Sequence, residues 1–275
     1  MPELKEKEKR LTEIIRTAGQ LAVAFSGGVD SSYLLNKAHV ILGGKAFAVT
    51  VRSQVLTDEE LEETVLFCKS RGIRQEVVDV DVFAIGEFGN NPPDRCYHCK
   101  RKIFGMIKEA ASRLGTDAVA DGSNTDDEGD YRPGMRAVRE LGILSPLKEA
   151  GLSKDDIREL SKQDGLSAWN APSAACLASR FAYGEEITES GLRRVAGAER
   201  FIKGLGFRGI RVRVHGDLAR IETAPEDMAL MSEEKNREKI SEELKRLGFK
   251  YVTMDMDGYR TGSMNEALNI DEVTT

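Results

Sequence analysis

LAVAFSGGVDSS, residues 21–32, decides how the rest of this chain is read. Leu21–Phe25 is apolar throughout, without alternation, as in a strand buried on both faces of a parallel sheet. Ser26-Gly27-Gly28 breaks the run, and a helix is predicted from Ser31 to about Val40. Gly27 and Gly28 let the backbone bend and approach a ligand closely. Amides at the start of the following helix then point at an anion. Ser26, Ser31 and Ser32 add hydroxyl donors. Asp30 is itself negative, so its use is to hold Mg²⁺ bridging phosphate oxygens rather than to touch phosphate directly. No Walker A lysine is present. The plain structural reading, a glycine turn before a capped helix, suits a bare Ser-Gly-Gly better than it suits the full motif between strand and helix.

Outward from this loop, apolar strands alternate with helices. Ala46–Val51 and Gln75–Val80 read as strands, and Asp117–Ala120 as a fourth. Asp58–Arg71 reads as a helix, with Thr57 as N-cap and Glu60 three residues on. Further helices are predicted over about 99–113 and over Ser153–Gln163, the latter capped by Ser153. This predicts an α/β fold: a parallel sheet with helices on both faces. Ligands in such sheets sit at the carboxyl ends of the strands. Beyond about residue 185 the texture changes. An amphipathic helix precedes Leu-Gly-Phe at 205–207, two alternating strands flank His215-Gly216-Asp217, and a second helix, Leu-Gly-Phe and strand follow at 247–249. The expected organisation is 1–185 as the sheet domain carrying the cysteine site. Residues 186–275 form a smaller α+β domain for substrate binding or oligomerisation.

Composition bounds the function. Of 275 residues, 40% are hydrophobic and 31% charged, so a globular core is expected. No apolar run is long enough for a membrane span, and the charged N-terminus lacks a signal-peptide core, so a cytoplasmic protein is expected. A net charge of −6 gives no general attraction to nucleic acid or anionic membrane. The chain has four cysteines, Cys68, Cys96, Cys99 and Cys176. Cys68 reads as core beside Leu66 and Phe67. By itself, Cys96-x-x-Cys99 is open between a disulfide, a zinc pair, a redox pair, part of an iron–sulfur site, and no role. A reducing compartment weighs against the disulfide.

The motif SGGVDSS resembles the PP-loop ATP pyrophosphatase superfamily (the adenine nucleotide alpha hydrolase-like fold). Its members cleave ATP between the α- and β-phosphates and adenylate an oxygen that a nucleophile then replaces. DGSNTDDEGDYRPGMRA (121–137), WNAPSAACLASRFAYGEEIT (169–188), RVRVHGDLARIE (211–222) and GYRTGSMNEAL (258–268) together resemble the LarE family. That resemblance spans about residues 20–268. It implies an ATP-dependent sulfurtransferase that adenylates the carboxylates of pyridinium-3,5-biscarboxylic acid mononucleotide and converts them to thiocarboxylates for the nickel-pincer nucleotide. It also implies a homo-oligomer, hexamers being one form.

Such a substrate needs fixed cations. Arg211 and Arg213 alternate on one predicted strand and share a face. Residues 189–220 hold eight basic and three acidic residues. For Arg211 and Arg213 the plain reading is a solvated strand face; Arg180 and Arg260 are further anion candidates. Asp121, Gly122 and Ser123 follow the fourth strand and join the ATP site. Glu128 is a catalytic candidate in a stretch that reads equally as an exposed loop. Cys176 is the candidate for sulfur chemistry, its thiol favoured as thiolate by Arg180, against a small buried hydrophobe.

Within the family, one type gives up the sulfur of a single cysteine and lacks the CxxC pair. The other uses three cysteines to hold a [4Fe-4S] cluster that carries an extra sulfide. Cys96, Cys99 and Cys176 match the second pattern, and three thiolates leave one iron open. Zinc normally wants four ligands. Lys100-Arg101-Lys102 would offset the cluster's charge. Rival readings are sacrifice of Cys176, a tRNA thiolase, and an ammonia ligase similar to NAD synthetase.

Overall fold

The structure, a computed structural model, describes residues 2–127, 133–171 and 175–260. The chain divides into two compact units. One comprises Met1–Ile85 and Cys96–Ala174, the other Gly86–Arg95 and Ala175–Thr275.

The first unit runs α1 (Pro2–Ala18), β1 (Leu21–Ala24), α2 (Val29–Leu42), β2 (Ala46–Arg52), α3 (Asp58–Arg71), β3 (Gln75–Asp79), α4 (Arg95–Arg113), β4 (Val119–Ala120), α5 (Gly134–Glu140), α6 (Pro146–Glu149) and α7 (Lys154–Gln163). Arg95, the first residue of α4, belongs to the second unit. The strands form one parallel sheet in the order β3-β2-β1-β4. Leu21 lies opposite Ala46, Ala48 opposite Gln75 and Ala22 opposite Val119.

The apolar strands follow from burial on both faces. Leu21, Val23, Ala46 and Ala48 pack into a core with Leu11 and Ile15 of α1, Leu34 of α2 and Ile157 of α7. Ala22, Phe47 and Val49 pack on the other side with Phe104 and Ile107 of α4 and Val138 of α5. The fourth strand is shorter than the predicted Asp117–Ala120. The Ala118 amide takes the Thr116 hydroxyl at 3.2 Å in place of a ladder partner. The sequence reading names no helix before Leu21. α1 forms there because Leu11 and Ile15, four residues apart on one face, are both fully buried.

The predicted cap of α3 is present. Glu60 N–H donates to Thr57 Oγ1 at 3.2 Å, and Thr57 N–H donates to Glu60 Oε2 at 2.9 Å. Ser153 and Asp156 make the same reciprocal pair at the start of α7, at 3.2 and 3.0 Å.

The second unit contains α8 (Glu189–Gly204), β5 (Arg211–His215), β6 (Leu218–Glu222), α9 (Met228–Ser232), α10 (Glu234–Arg246) and β7 (Tyr251–Met254). Its sheet has the order β5-β6-β7, with β5 antiparallel and β7 parallel to β6. The two Leu-Gly-Phe repeats have one physical role. Gly206 and Gly248 sit at φ +100° and +102° just past α8 and α10, and Phe207 and Phe249 are buried directly after them. No described helix is long and apolar enough to cross a membrane.

Candidate functional site

The sheet reverses its strand order beside β1, which pairs with both β2 and β4. The loops after β1 and β4 therefore meet at a switch point, where α/β sheets place ligands. Gly27 takes φ +80°. A Cβ there would lie 3.2 Å from Thr64 Cγ2. Gly28 is the N-cap of α2, and no side chain caps the helix, so its first amides are left for an anion. Ser26 is exposed. Ser31 and Ser32 are buried, and their hydroxyls donate to the Gly28 and Gly27 carbonyls at 3.1 and 3.2 Å. The two inner serines thus shape the loop.

Asp30, in the first turn of α2, pairs with Lys154 of α7. Its Oδ1 is buried with no hydrogen-bond partner among the described residues. Burial pushes the Asp30 carboxyl above its ordinary range, and Lys154 offsets only part of that. An orphaned carboxylate oxygen at a helix start fits a cation ligand.

After β4, Asp121 organises its own turn. It accepts Ser123 N–H at 3.2 Å, Ser123 Oγ at 2.6 Å and Ser145 Oγ at 2.8 Å. Gly122 packs on the start of α2, where a Cβ would come within 3.0 Å of Ser31 N and 3.2 Å of Asp30 Cβ. Behind the loop runs a polar chain. Thr50 Oγ1 donates to the Phe25 carbonyl at 2.9 Å, and Gln75 Nε2 reaches Thr50 Oγ1 and Thr64 Oγ1 at 2.8 and 3.0 Å.

Cys96 and Cys99 lie one turn apart at the start of α4, both half-buried. Between them Tyr97 is buried, and its hydroxyl donates to Glu140 of α5 at 2.7 Å. Arg136 lies 4.0 Å over the Tyr97 ring and donates to Glu140 at 2.9 Å. Gly134 lets α5 begin against this turn, since a Cβ would be 3.3 Å from the Cys96 carbonyl oxygen. Cys68 is buried in α3, and burial pushes its thiol up to about 12. That makes it inert core, as its sequence suggests.

In the second unit Cys176 is exposed, at the head of a short turn over Leu177–Arg180. The turn is held by its carbonyls. Arg180 Nη1 donates to the Ala175 and Cys176 carbonyls at 2.8 and 3.2 Å, and Arg213 Nη1 to that of Ser179 at 3.0 Å. Both arginines also carry carboxylate partners. Arg180 forks onto Glu199 at 2.8 and 3.0 Å, and Arg213 onto Glu222 Oε2 at 3.0 and 2.8 Å. Glu199 is buried, which alone would raise its pKa. The bonds and charge of Arg180 hold it below the ordinary glutamate range. Arg211 is buried with its guanidinium 5.3 Å from the Tyr259 ring centre. Burial, then the neighbouring Arg180, pull its pKa down. Arg260 pairs with Asp257 and Asp255 at 3.3 and 3.5 Å.

Glu128 lies outside the described residues, as do residues 172–174 beside Cys176 and the end of the 258–268 motif. Among the described residues, no group of three or more His, Cys, Asp and Glu side chains is gathered to hold a metal ion. Sequence reasoning missed Lys154, which is 124 residues from Asp30. No local pattern links two positions so distant. It also missed Asn91, whose side-chain partners Phe181 and Ala182 are 90 and 91 residues away.

A parallel sheet ordered 3-2-1-4, with SGGVDSS closing its first strand, defines the PP-loop class of α/β proteins. No protein-family model matches the chain. It is 36% identical over 280 residues to the pyridinium-3,5-bisthiocarboxylic acid mononucleotide synthase of Lactiplantibacillus plantarum, covering 100% of this chain and 99% of that protein. It is 38% identical over 265 residues to an uncharacterized protein of Synechocystis sp., covering 96% and 99%. One component of the glutamine-hydrolyzing GMP synthase of Pyrococcus horikoshii matches at 31% over 177 residues, covering 58% of this chain and 56% of that component. The chain belongs to the LarE family.

Proposed function

We propose that this chain is an ATP-dependent sulfurtransferase that makes thiocarboxylates from the carboxylates of pyridinium-3,5-biscarboxylic acid mononucleotide, for the nickel-pincer nucleotide. The reading is carried by the full-length match to a synthase of the bisthiocarboxylic product. In the first step the amides at the start of α2 and the Ser26 hydroxyl bind the β- and γ-phosphates. Asp30, with its orphaned Oδ1, would hold a Mg²⁺ ion, which would supply positive charge against the phosphates. A substrate carboxylate oxygen attacks the α-phosphorus, and the bond to pyrophosphate breaks. The product is an acyl adenylate, in which AMP is the leaving group. Lys154, beside Asp30, stands where a second cation can meet the phosphates.

Arg211, with Arg180, Arg213 and Arg260, supplies positive charge for the substrate's phosphate and carboxylates. Burial, and then the neighbouring Arg180, lower the Arg211 pKa, and an arriving anion would offset both. A sulfur nucleophile then attacks the acyl carbon and AMP leaves.

Cys96, Cys99 and Cys176 would be the thiols that hold a [4Fe-4S] cluster, and the pair on α4, one helical turn apart and half-buried, suits two of those ligands. Bound there, such a cluster would supply the sulfide for transfer. The exposure of Cys176 favours a second reading, in which its own sulfur is given up once per molecule.

The test is pyrophosphate release from ATP with the biscarboxylate nucleotide, alongside the mass of the Cys176 peptide after turnover. Substrate-dependent release with Cys176 intact is expected. Dehydroalanine at position 176 moves the sulfur source to Cys176. Release that instead needs tRNA or an ammonia acceptor overturns the reading.

A further inference from the structure

We infer that Asn91 and Arg95 are positioning residues for the turn that carries Cys176, a role that rests on the sulfur-transfer reading above. Asn91 is fully buried and is the one non-glycine residue at positive φ among the described residues, at +52°. A buried asparagine held in the left-handed region is kept there by its bonds. Those bonds run toward the chain just after Cys176. Its Nδ2 donates to the Ala182 carbonyl at 2.6 Å and to the Phe181 carbonyl at 3.4 Å. Its own carbonyl accepts Gly184 N–H at 3.0 Å, and Gly89 O accepts Ile187 N–H at 2.7 Å.

Asn91 Oδ1 in turn accepts from Arg95. Arg95 is buried, and its Nη1 also donates to the Ala178 carbonyl at 3.2 Å. With Arg180 on 175 and 176 and Arg213 on 179, arginines then hold four carbonyls of the turn. Arg95 is also the residue before Cys96 in the chain. The side chain that fixes the carbonyl two residues past Cys176 is thus that of the residue preceding Cys96 in the sequence. The bonds that Asn91 and Arg95 make to residues 178–184 belong to the cysteine turn rather than to the ATP loop, while the guanidinium groups of Arg180 and Arg213 stay anchored on Glu199 and Glu222, so the pin acts chiefly on sulfur delivery.

The test uses the full chain with Asn91→Gly, which tolerates the left-handed backbone while deleting the amide bonds, and Arg95→Gln. Amide hydrogen exchange over 177–187 should speed by about tenfold or more in both, with exchange in the β1–β2 sheet unchanged. Pyrophosphate release with the biscarboxylate nucleotide should stay near wild type, while thiocarboxylate formed per pyrophosphate falls by about tenfold. Unchanged exchange over 177–187 overturns the pin. So does a parallel fall of both half-reactions with the melting temperature, which marks a merely structural role. If the unaltered chain releases no pyrophosphate, the functional reading fails, and exchange still decides the pin.

Discussion

Asp30 combines features that a purely structural residue would not keep together: a charge, partial burial and an orphaned oxygen. Its pKa is raised by burial, so the folded chain holds this proton more tightly than the unfolded chain. Stability from this group is greatest below the ordinary aspartate value and falls as pH rises through the folded value. Asp30→Asn removes that cost. It should leave the melting temperature at neutral pH near or above wild type, while substrate-dependent pyrophosphate release drops by more than about 100-fold. A variant that melts early and keeps its rate would contradict the metal-holding role. At Gly122 the constraint is steric. A Cβ would press on Ser31 N and Asp30 Cβ, so Gly122→Ala should shift the start of α2. The expected cost is about 1–3 kcal/mol, read from denaturant midpoints, with a raised KM for ATP. Glu199 behaves in the opposite sense to Asp30. Its pKa is depressed, so its stabilisation is present above the ordinary glutamate value and is lost as pH falls through the folded one. Removing one partner leaves a buried charge, so Arg180→Ala should destabilise by about 3–5 kcal/mol in urea unfolding.

Two helix starts in the first unit serve opposite ends. α3 begins with a complete capping box, and Thr57→Ala should cost about 1 kcal/mol with no effect on nucleotide binding. α2 begins at Gly28 without any side-chain cap. Its backbone, at φ −67° and ψ 160°, is one that serine adopts readily, and an added Cβ meets only Ser26 Oγ at 3.6 Å. Gly28→Ser should therefore be neutral to stability or raise it by a few tenths of a kcal/mol, roughly the difference between caps. It should weaken ATP binding by about tenfold, because the new hydroxyl takes an amide that the phosphate needs. Equal nucleotide affinity in titration calorimetry would remove α2 from the phosphate site. Beneath this loop the Thr50–Gln75–Thr64 chain joins β2, β3 and α3 to the carbonyl of Phe25. The strand that feeds the loop is thus tied to its neighbours by side chains as well as by the ladder.

At the scale of the molecule, the charge balance of −6 speaks against a polyanionic partner. A tRNA substrate would bring binding that weakens steeply with salt. Adding tRNA should leave pyrophosphate release unchanged at low and high ionic strength alike. The sequence by itself determined the sheet, since LAVAF and AFAVTV are apolar at nearly every position only if both faces are covered. It also specified the glycine turn between β1 and α2, the caps at Thr57 and Ser153, and the helix–glycine–strand repeat at 205–207 and 247–249. These are local: composition, period and turn chemistry within a few residues are enough to specify them. What only the tertiary structure decided is which distant groups face one another. Lys154 beside Asp30, Gly122 against α2, and Asn91 with Arg95 under the Cys176 turn leave no pattern in the sequence. Arg180 and Arg213 look like clamps for a ligand, yet in the fold they also clasp Glu199, Glu222 and the carbonyls around Cys176. The reason is physical: a buried charge must find a partner, and that partner is set by packing, not by its distance along the chain.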